Sequence, residues 1–223
     1  LMCGIAGIIN FETSKKYTKA ILQMATAMNT RGPDDEGFLF LNQDKISIFG
    51  GKTPSYNESI ESNYFPKKHI SHSNEDASIC FAHKRLSIVD LSNNGHQPMT
   101  SVCGKFWIVF NGEIYNFKEI KAVLIQKKYQ FKTKTDTEVL LAAYQEWGTD
   151  CVNHFNGMFA FAILDTIKQK VFIARDRVGI KPLYFYQNRS EFVFASTIKA
   201  IQESGLYETA INDEGLWQNF TYN

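Results

Sequence analysis

Cys3, in the opening stretch LMCGIAGIIN, is a thiol with two readings. Within an apolar strand a free cysteine behaves as a small buried hydrophobe. Its place one residue after Met2 gives the second reading: removing that methionine would leave a free α-amine beside the thiol, and an amine with a pKa of about 8 is a competent general base for a nucleophile. Other residues supply the parts such a nucleophile needs. Asn111-Gly112 lies between apolar runs and is a strong hairpin signal, predicting a turn with this pair at its tip. A hairpin tip also projects a backbone N–H and a side-chain amide, the two kinds of donor that stabilise an oxyanion. Glu113 follows as an anion. Arg85, in HKRLSIVD, reads either as a solvated strand residue or as a bidentate clamp for a carboxylate. Asp136, in TKTDTEV, reads either as an acid favoured by the first turn of a helix or as a holder of an ammonium. The residue types alone leave each choice open.

Other chemistries find less support. His69 and His72 lie in a polar stretch with no zinc-type arrangement around them, so no metal site is expected. The sequence has no G-x-x-x-x-G-K-S/T, no G-x-G-x-x-G and no G-x-S-x-G, which leaves a phosphate loop and a serine-hydrolase elbow unsupported. With 24 basic and 23 acidic residues there is no global field to attract nucleic acid or a membrane surface. The four cysteines are far apart with no C-x-x-C pair, which suits reduced thiols in a cytoplasmic protein. The apolar N-terminal run is too short for a signal peptide or a membrane span.

These residues must be positioned by a fold, and 223 residues suffice for a sizeable core without staples. CGIAGIIN predicts a buried strand, and YTKAILQMATAMNTRG a helix stopped by Gly32 and Pro33. EGFLFLNQDKISIFGG predicts two strands joined by a turn at Asn42 to Asp44. Residues 51–76 are polar without sustained periodicity and predict a long loop or flap. SICFAHKRLSIVDL resumes strand character. FKEIKAVLIQKKY and TEVLLAAYQEWG predict helices, the second opened by a capping-box pattern at Thr135 to Glu138. GMFAFAILD, KVFIARDR, PLYFYQ and EFVFAS predict four strands in quick succession. This order suits an α+β fold with sheets packed on each other and helices outside.

Several stretches together carry a family resemblance: MCGIAGI, RGPDDEGF, HKRLSIVDLS, GHQPM, FNGEIYNF, TDTEVLLAAY, NGMFAFAILD and ARDRVGIKPLYF. In this order the chain resembles the class II glutamine amidotransferase domain, the N-terminal-nucleophile glutaminase at the front of asparagine synthetase B-like enzymes. The resemblance implies a four-layer αββα sandwich of two antiparallel sheets, and hydrolysis of L-glutamine to glutamate and ammonia. Carried over residue by residue, it makes Cys3 the nucleophile, with Asn111 and Gly112 as the oxyanion hole. Arg85, Leu86, Ser87, Ile88 and Val89 match the segment that binds the substrate α-carboxylate, and Glu113 with Asp136 match the groups near its α-ammonium. Arg31 is placed near the site as a brace or lid. Arg175, Asp176 and Lys181 are read as structural or as facing a partner domain.

The resemblance also marks what this chain lacks. Asparagine synthetase-type members continue into an ATP-using domain with a Ser- and Gly-rich pyrophosphate loop, and no such loop occurs here. Residues 3–205 are expected to form the amidotransferase domain and 206–223 to start a linker toward a C-terminal synthetase domain. The glutaminase half-reaction needs no cofactor, and ATP and Mg are implied only for that absent domain. A homodimer is a further partner expected by analogy. Aspartate is the default ammonia acceptor, and the long 51–76 segment marks a subgroup that amidates another one. A catalytically silent glutamine-binding or regulatory module, and a different N-terminal-nucleophile acylase or peptidase, are the rival functions. Leu1 is read as an added residue that shields Met2 from removal, leaves Cys3 without its free amine and impairs the glutaminase; the mature protein is expected to begin at Cys3.

Overall fold

In the computed structural model, residues 2–51, 64–87, 93–208, 215, 217, 220 and 221 are described. Leu1, residues 52–63 of the expected loop, Ile88 and Val89, and most of the expected linker lie outside them. The described chain builds two antiparallel sheets. The first has β1 (Gly4–Asn10), β2 (Asp35–Asn42), β3 (Lys45–Gly50), β4 (Ile79–Arg85), β9 (Tyr184–Gln187) and β10 (Glu191–Ala195), in the order β3-β2-β4-β1-β10-β9. The second has β5 (Met99–Thr100), β6 (Phe106–Ile114), β7 (Gly157–Asp165) and β8 (Lys170–Arg175), in the order β5-β6-β7-β8. The helices are α1 (Thr18–Ala27), α2 (Phe117–Gln126), α3 (Asp136–Trp147) and α4 (Ile198–Glu203).

Strand alternation sorts the side chains into three apolar clusters and so into four layers. Ala6, Ile8, Phe38, Phe40 and Ala82 leave the first sheet on one face and pack with Ile21 and Met24 of α1, Met28 just past its end, and Ile201 of α4. Ile108, Phe110, Phe161 and Ile163 leave the second sheet on its far face and pack with α2 and α3 through Ile120, Leu124, Leu140 and Tyr144. Between the sheets lie Ile5, Leu39, Phe81 and Phe194 from one side and Trp107, Val109, Ala162 and Leu164 from the other. The αββα arrangement expected from the resemblance is therefore the observed one. Strands apolar on both faces, such as GFLFL in β2, are what a sheet buried on both sides requires.

One local reading is corrected. Asn111-Gly112 is not a hairpin tip: β6 runs straight through both residues, pairing with β7 from Phe106↔Asp165 to Ile114↔Gly157. A type I′ turn needs positive φ at both central residues, and neither Asn111 nor Gly112 has it. The glycine is used for close approach, since a Cβ at Gly112 would collide with the Met158 carbonyl oxygen of the neighbouring strand. The long-range pairing overrides the local turn preference.

The capping pattern at α3 holds by half. Thr135 Oγ1 accepts from the Glu138 N–H at 3.3 Å, as an N-cap should. The Glu138 carboxylate turns away from the reciprocal bond and accepts from the Lys132 and Thr133 amides at 2.8 and 2.7 Å, fixing the segment that leads into the helix.

On the helix side of the first sheet, cross-strand partners Lys84 and Glu36 form a buried ion pair with Nζ to Oε2 at 2.6 Å, Lys84 being 1% exposed. Removing one member of such a pair is strongly destabilising because the other is left in an apolar setting. Lys84→Met is expected to lower stability by about 3 kcal/mol, and Lys84→Met with Glu36→Gln to recover part of it. Urea midpoints check this; an unchanged midpoint in the single variant would mean that the pair contributes nothing.

Candidate functional site

Alternation and register bring the sequence-predicted residues to one end of the sandwich. Cys3 and Ile5, at the start of β1, share a face, as do Phe81, His83 and Arg85 on β4; register places Gly4 opposite Lys84 and Ile5 opposite His83. On the second sheet Trp107, Val109 and Asn111 share the face that looks back at the first. His83 ties the two together, its Nε2 lying 3.1 Å from the carbonyl oxygen of Phe110, the residue before Asn111. The inter-sheet layer is apolar through its middle and turns polar at this end.

The Cys3 thiol is part-buried. Its Sγ accepts from the Leu86 N–H at 3.3 Å. Burial pushes the thiol up from its ordinary value, opposed by the Leu86 backbone and by the positive charges of Arg85, Lys181 and Arg31. The backbone donor and the cations thus offset part of the burial penalty that a thiolate here would carry. Arg31 braces this place: its Nε donates to the Cys3 carbonyl oxygen at 3.0 Å, and its buried Nη2 has no hydrogen-bond partner among the described residues. Desolvation lowers its pKa, while Cys3 and Tyr184 raise it.

Arg85 is 8% exposed, which overturns its reading as a solvated strand residue: β4 is flanked by β1 and β2, and the arginine ends the strand inside the sandwich. A Cβ at Gly95 would run into the guanidinium, so the loop at Gly95 closes directly over it. Ser87 follows, its N–H donating to Asp34 Oδ2 at 2.7 Å. Ile88 and Val89, expected beside Arg85, lie outside the described residues.

Asn111 is 1% exposed, and its Nδ2 is a buried donor without a partner among the described residues. Such orphans are rare enough in folded proteins to call for an explanation. Glu113, two residues on, is exposed. The Asp136 carboxylate accepts from the Ile114 N–H at 3.0 Å, which joins the N-terminus of α3 to the end of β6. Burial raises Asp136 above its ordinary value, with the Ile114, Thr137 and own backbone N–H groups opposing and the Glu113 charge adding to the rise.

Lys181 belongs to this cluster and was not legible as part of it. Its Nζ lies 3.1 Å from Met2 Sδ, and its charge interacts with Cys3, Arg31 and Glu113. Asp34, Asp35, His96 and Gly95 were also missed as individual residues, although they stand within the stretches RGPDDEGF and GHQPM. His96 Nδ1 lies 2.7 Å from Asp35 Oδ2, a buried contact that ties these two stretches to each other. Arg175 and Asp176, read from the sequence as structural or as facing a partner domain, hold a turn together. Arg175 Nε donates to the Lys181 carbonyl oxygen at 2.7 Å, and Asp176 takes backbone N–H groups from Phe159, Ile180 and Lys181. Two surface cavities, of about 390 Å³ beside α2 and α3 and about 430 Å³ beside β8, are lined by neither Cys3 nor Asn111.

The chain matches the family described as a glutamine amidotransferase domain over residues 67–223. It is 34% identical over 222 residues to asparagine synthetase [glutamine-hydrolyzing] 3 of Bacillus subtilis, covering 98% of this chain and 30% of that protein. It is 39% identical over 216 residues to a putative asparagine synthetase [glutamine-hydrolyzing] 2 of Methanocaldococcus jannaschii, covering 90% and 35%. The chain thus spans about a third of the length of these relatives. In fold it resembles the glutamine phosphoribosylpyrophosphate amidotransferase from B. subtilis, with a TM-score of 0.72 at 20% identity over 91% of this chain and 44% of the other.

His83 supplies a pH test of the geometry. Burial drives its imidazole down from 6.5 to about 3, despite the Phe110 carbonyl and the Asp35 charge, which raise it. Between those two values the unfolded chain binds a proton that the folded chain does not, so stability rises with pH across this window and is lost as pH falls. From pH 7 to pH 5 the loss traceable to His83 is expected to be about 2 kcal/mol, read as the difference in urea stability between wild type and His83→Gln at the two pH values. An imidazole found by NMR to titrate near its ordinary value would refute the burial argument.

Proposed function

The chain belongs to the glutamine amidotransferase domain family, and from that premise we propose that it hydrolyses L-glutamine to glutamate and ammonia, with Cys3 as nucleophile. One observation carries the proposal beyond membership: a thiol held by the Leu86 amide stands at the end of the sandwich where the buried Asn111 Nδ2 has no partner among the described residues. A nucleophile and an unused donor on facing strands are what attack on an amide carbonyl requires.

In the proposed reaction the chain begins at Cys3, and its α-amine takes the thiol proton as sulfur bonds to the side-chain amide carbon of glutamine. The carbonyl oxygen, now an oxyanion, is received by Asn111 Nδ2 and the Gly112 N–H. The tetrahedral intermediate collapses, the carbon–nitrogen bond breaks, and the protonated amine returns its proton to the leaving nitrogen, which departs as ammonia. Water then cleaves the thioester to glutamate and restores the thiol. Arg85, in the segment through Val89, holds the α-carboxylate, and Glu113 with Asp136 receives the α-ammonium. This division of labour matches a zwitterion with a neutral amide at its far end.

The relatives named as asparagine synthetases support a destination for the ammonia. We place residues 3–205 as the glutaminase and the residues after them as the way to a C-terminal synthetase domain, where ATP and Mg would serve amidation of aspartate or another acceptor. The glutaminase step itself is written without a cofactor, and the protein is placed in the cytoplasm. No helix among the described residues is long and apolar enough to cross a membrane.

The test is ammonia release from glutamine by a chain confirmed by intact mass to begin at Cys3. Cys3→Ala is expected to abolish release, Asn111→Ala to lower kcat by about a hundredfold or more with little change in KM, and Arg85→Gln to act mainly on KM. Glutamine binding without ammonia release by the wild type would point to a silent binding module. Preference for unrelated amides would point to an acylase.

A further inference from the structure

We infer that Lys181 is a positioning residue for the nucleophile, its ammonium acting across the start of β1 to stabilise the Cys3 thiolate as it forms. Lys181 is 6% exposed, and among the described residues its Nζ makes no ion pair; its hydrogen-bond partner is the Met2 thioether at 3.1 Å. Burying an ammonium against a sulfur is unfavourable unless a charge nearby compensates it. The side chain is nevertheless held firmly at its base. The Lys181 N–H donates to Asp176 Oδ2 at 2.9 Å, its carbonyl accepts from Arg175 Nε, and Asp176 also takes the Phe159 N–H at 3.2 Å. Phe159 is the cross-strand partner of Gly112, so the loop that carries Lys181 is fastened to the strand pair that carries Asn111 and Gly112.

The charges facing this ammonium are those of Cys3 from β1, Arg31 from the loop after α1, Glu113 from β6 and Asp176 from its own turn. Those facing the thiol are Arg85, Lys181 and Arg31. Burial lowers the Lys181 pKa, and Cys3, Glu113 and Asp176 oppose that while Arg31 adds to it. Two of the three cations near the sulfur have other duties: Arg31 donates to the Cys3 carbonyl, and Arg85 is assigned to the substrate carboxylate. Lys181 has neither duty, so its charge is available to the thiolate alongside the Nη2 end of Arg31. In a chain beginning at Cys3 the same charge disfavours protonation of the adjacent α-amine and keeps it competent as a base. That consequence and the duty given to Arg85 rest on the glutaminase reading; the effect on the thiol stands apart from them.

The experiment is alkylation of Cys3 by iodoacetamide as a function of pH, followed by peptide mass so that exposed Cys103 does not contribute, in wild type and in Lys181→Met, Lys181→Gln and Lys181→Arg. Loss of an opposite charge near a titrating group moves it by about one pH unit or more. The two neutral variants are therefore expected to show the Cys3 midpoint raised by about that much and alkylation below it slowed about tenfold, while Lys181→Arg keeps the wild-type midpoint. Unchanged midpoints in the neutral variants, or an arginine variant shifted as far as they are, would overturn the inference. If neither neutral variant folds by circular dichroism, the reciprocal measurement decides. The Lys181 side chain, followed by NMR, should titrate at lower pH in Cys3→Ala than in wild type, and an unmoved titration overturns the proposal. A wild type that shows the thiol coupling but releases no ammonia would sink the glutaminase reading and leave the role of Lys181 standing.

Discussion

Everything at the candidate site hangs on the way β1 is held. The strand pairs antiparallel with β4 on one side, from Gly4↔Lys84 to Ile9↔Ile79, and with β10 on the other, from Ala6↔Ala195 to Asn10↔Glu191. Ser196 closes the second pairing, its N–H donating to the Ile5 carbonyl at 2.9 Å and its Oγ accepting from the Ile5 N–H at 3.0 Å. A slip of one residue would turn Ile5 toward the helices and Ala6 into the inter-sheet layer, exchanging every buried contact on both faces. Cys3 lies two residues before Ile5, so the register that satisfies the core also decides which way the thiol points. Its carbonyl is then fixed by Arg31.

The second sheet must meet this end in register with the first, and here polar groups replace apolar ones. His83 continues the face that carries Phe81, yet it bonds the Phe110 carbonyl across the layer. In a low-dielectric surrounding such a bond is stronger than in water, and an unmatched polar atom is correspondingly costly. The buried side-chain atoms without partners among the described residues are Arg31 Nη2, His83 Nδ1, Trp107 Nε1 and Asn111 Nδ2. All except the tryptophan cluster around Cys3 or on the strand link to Asn111. A fold governed only by stability would have little reason to concentrate such atoms at one end.

Legibility in the sequence followed the range of the forces involved. Periodic apolar spacing announced β1, the β2–β3 pair, α1, α2 and α3, because helix and strand burial repeat locally. Asn111-Gly112 misled for the opposite reason: the pair carries a strong local turn preference, and only its partners on β7 reveal that it is mid-strand. For Arg85 the surface-charge reading stayed open beside the carboxylate clamp because nothing near it in sequence shows that strands flank β4 on both sides. Lys181 sits in a short loop more than 170 positions from Met2, the residue its ammonium meets just before the thiol, and no spacing rule links them. The site residues taken from the resemblance, by contrast, came as a set, since the motifs record contacts that single residues do not.

The electrostatics of the site also constrain how a zwitterion can be used. Before substrate arrives, burial disfavours the thiolate and three cations favour it. In the proposed mechanism the substrate carboxylate occupies Arg85, neutralising one of those cations at the moment the thiol must ionise. What remains is Arg31, engaged with a carbonyl, the Leu86 N–H on the sulfur, and Lys181. The incoming α-ammonium restores a positive charge, but it is drawn toward Glu113 and Asp136, and Asp136 already spends one oxygen on the Ile114 N–H. Substrate binding thus shifts positive charge away from the thiol while the developing oxyanion calls for donors beside it. In that scheme the Lys181 ammonium, beside Met2 at the entry to β1, and the neutral Asn111 amide on β6 meet those two demands separately.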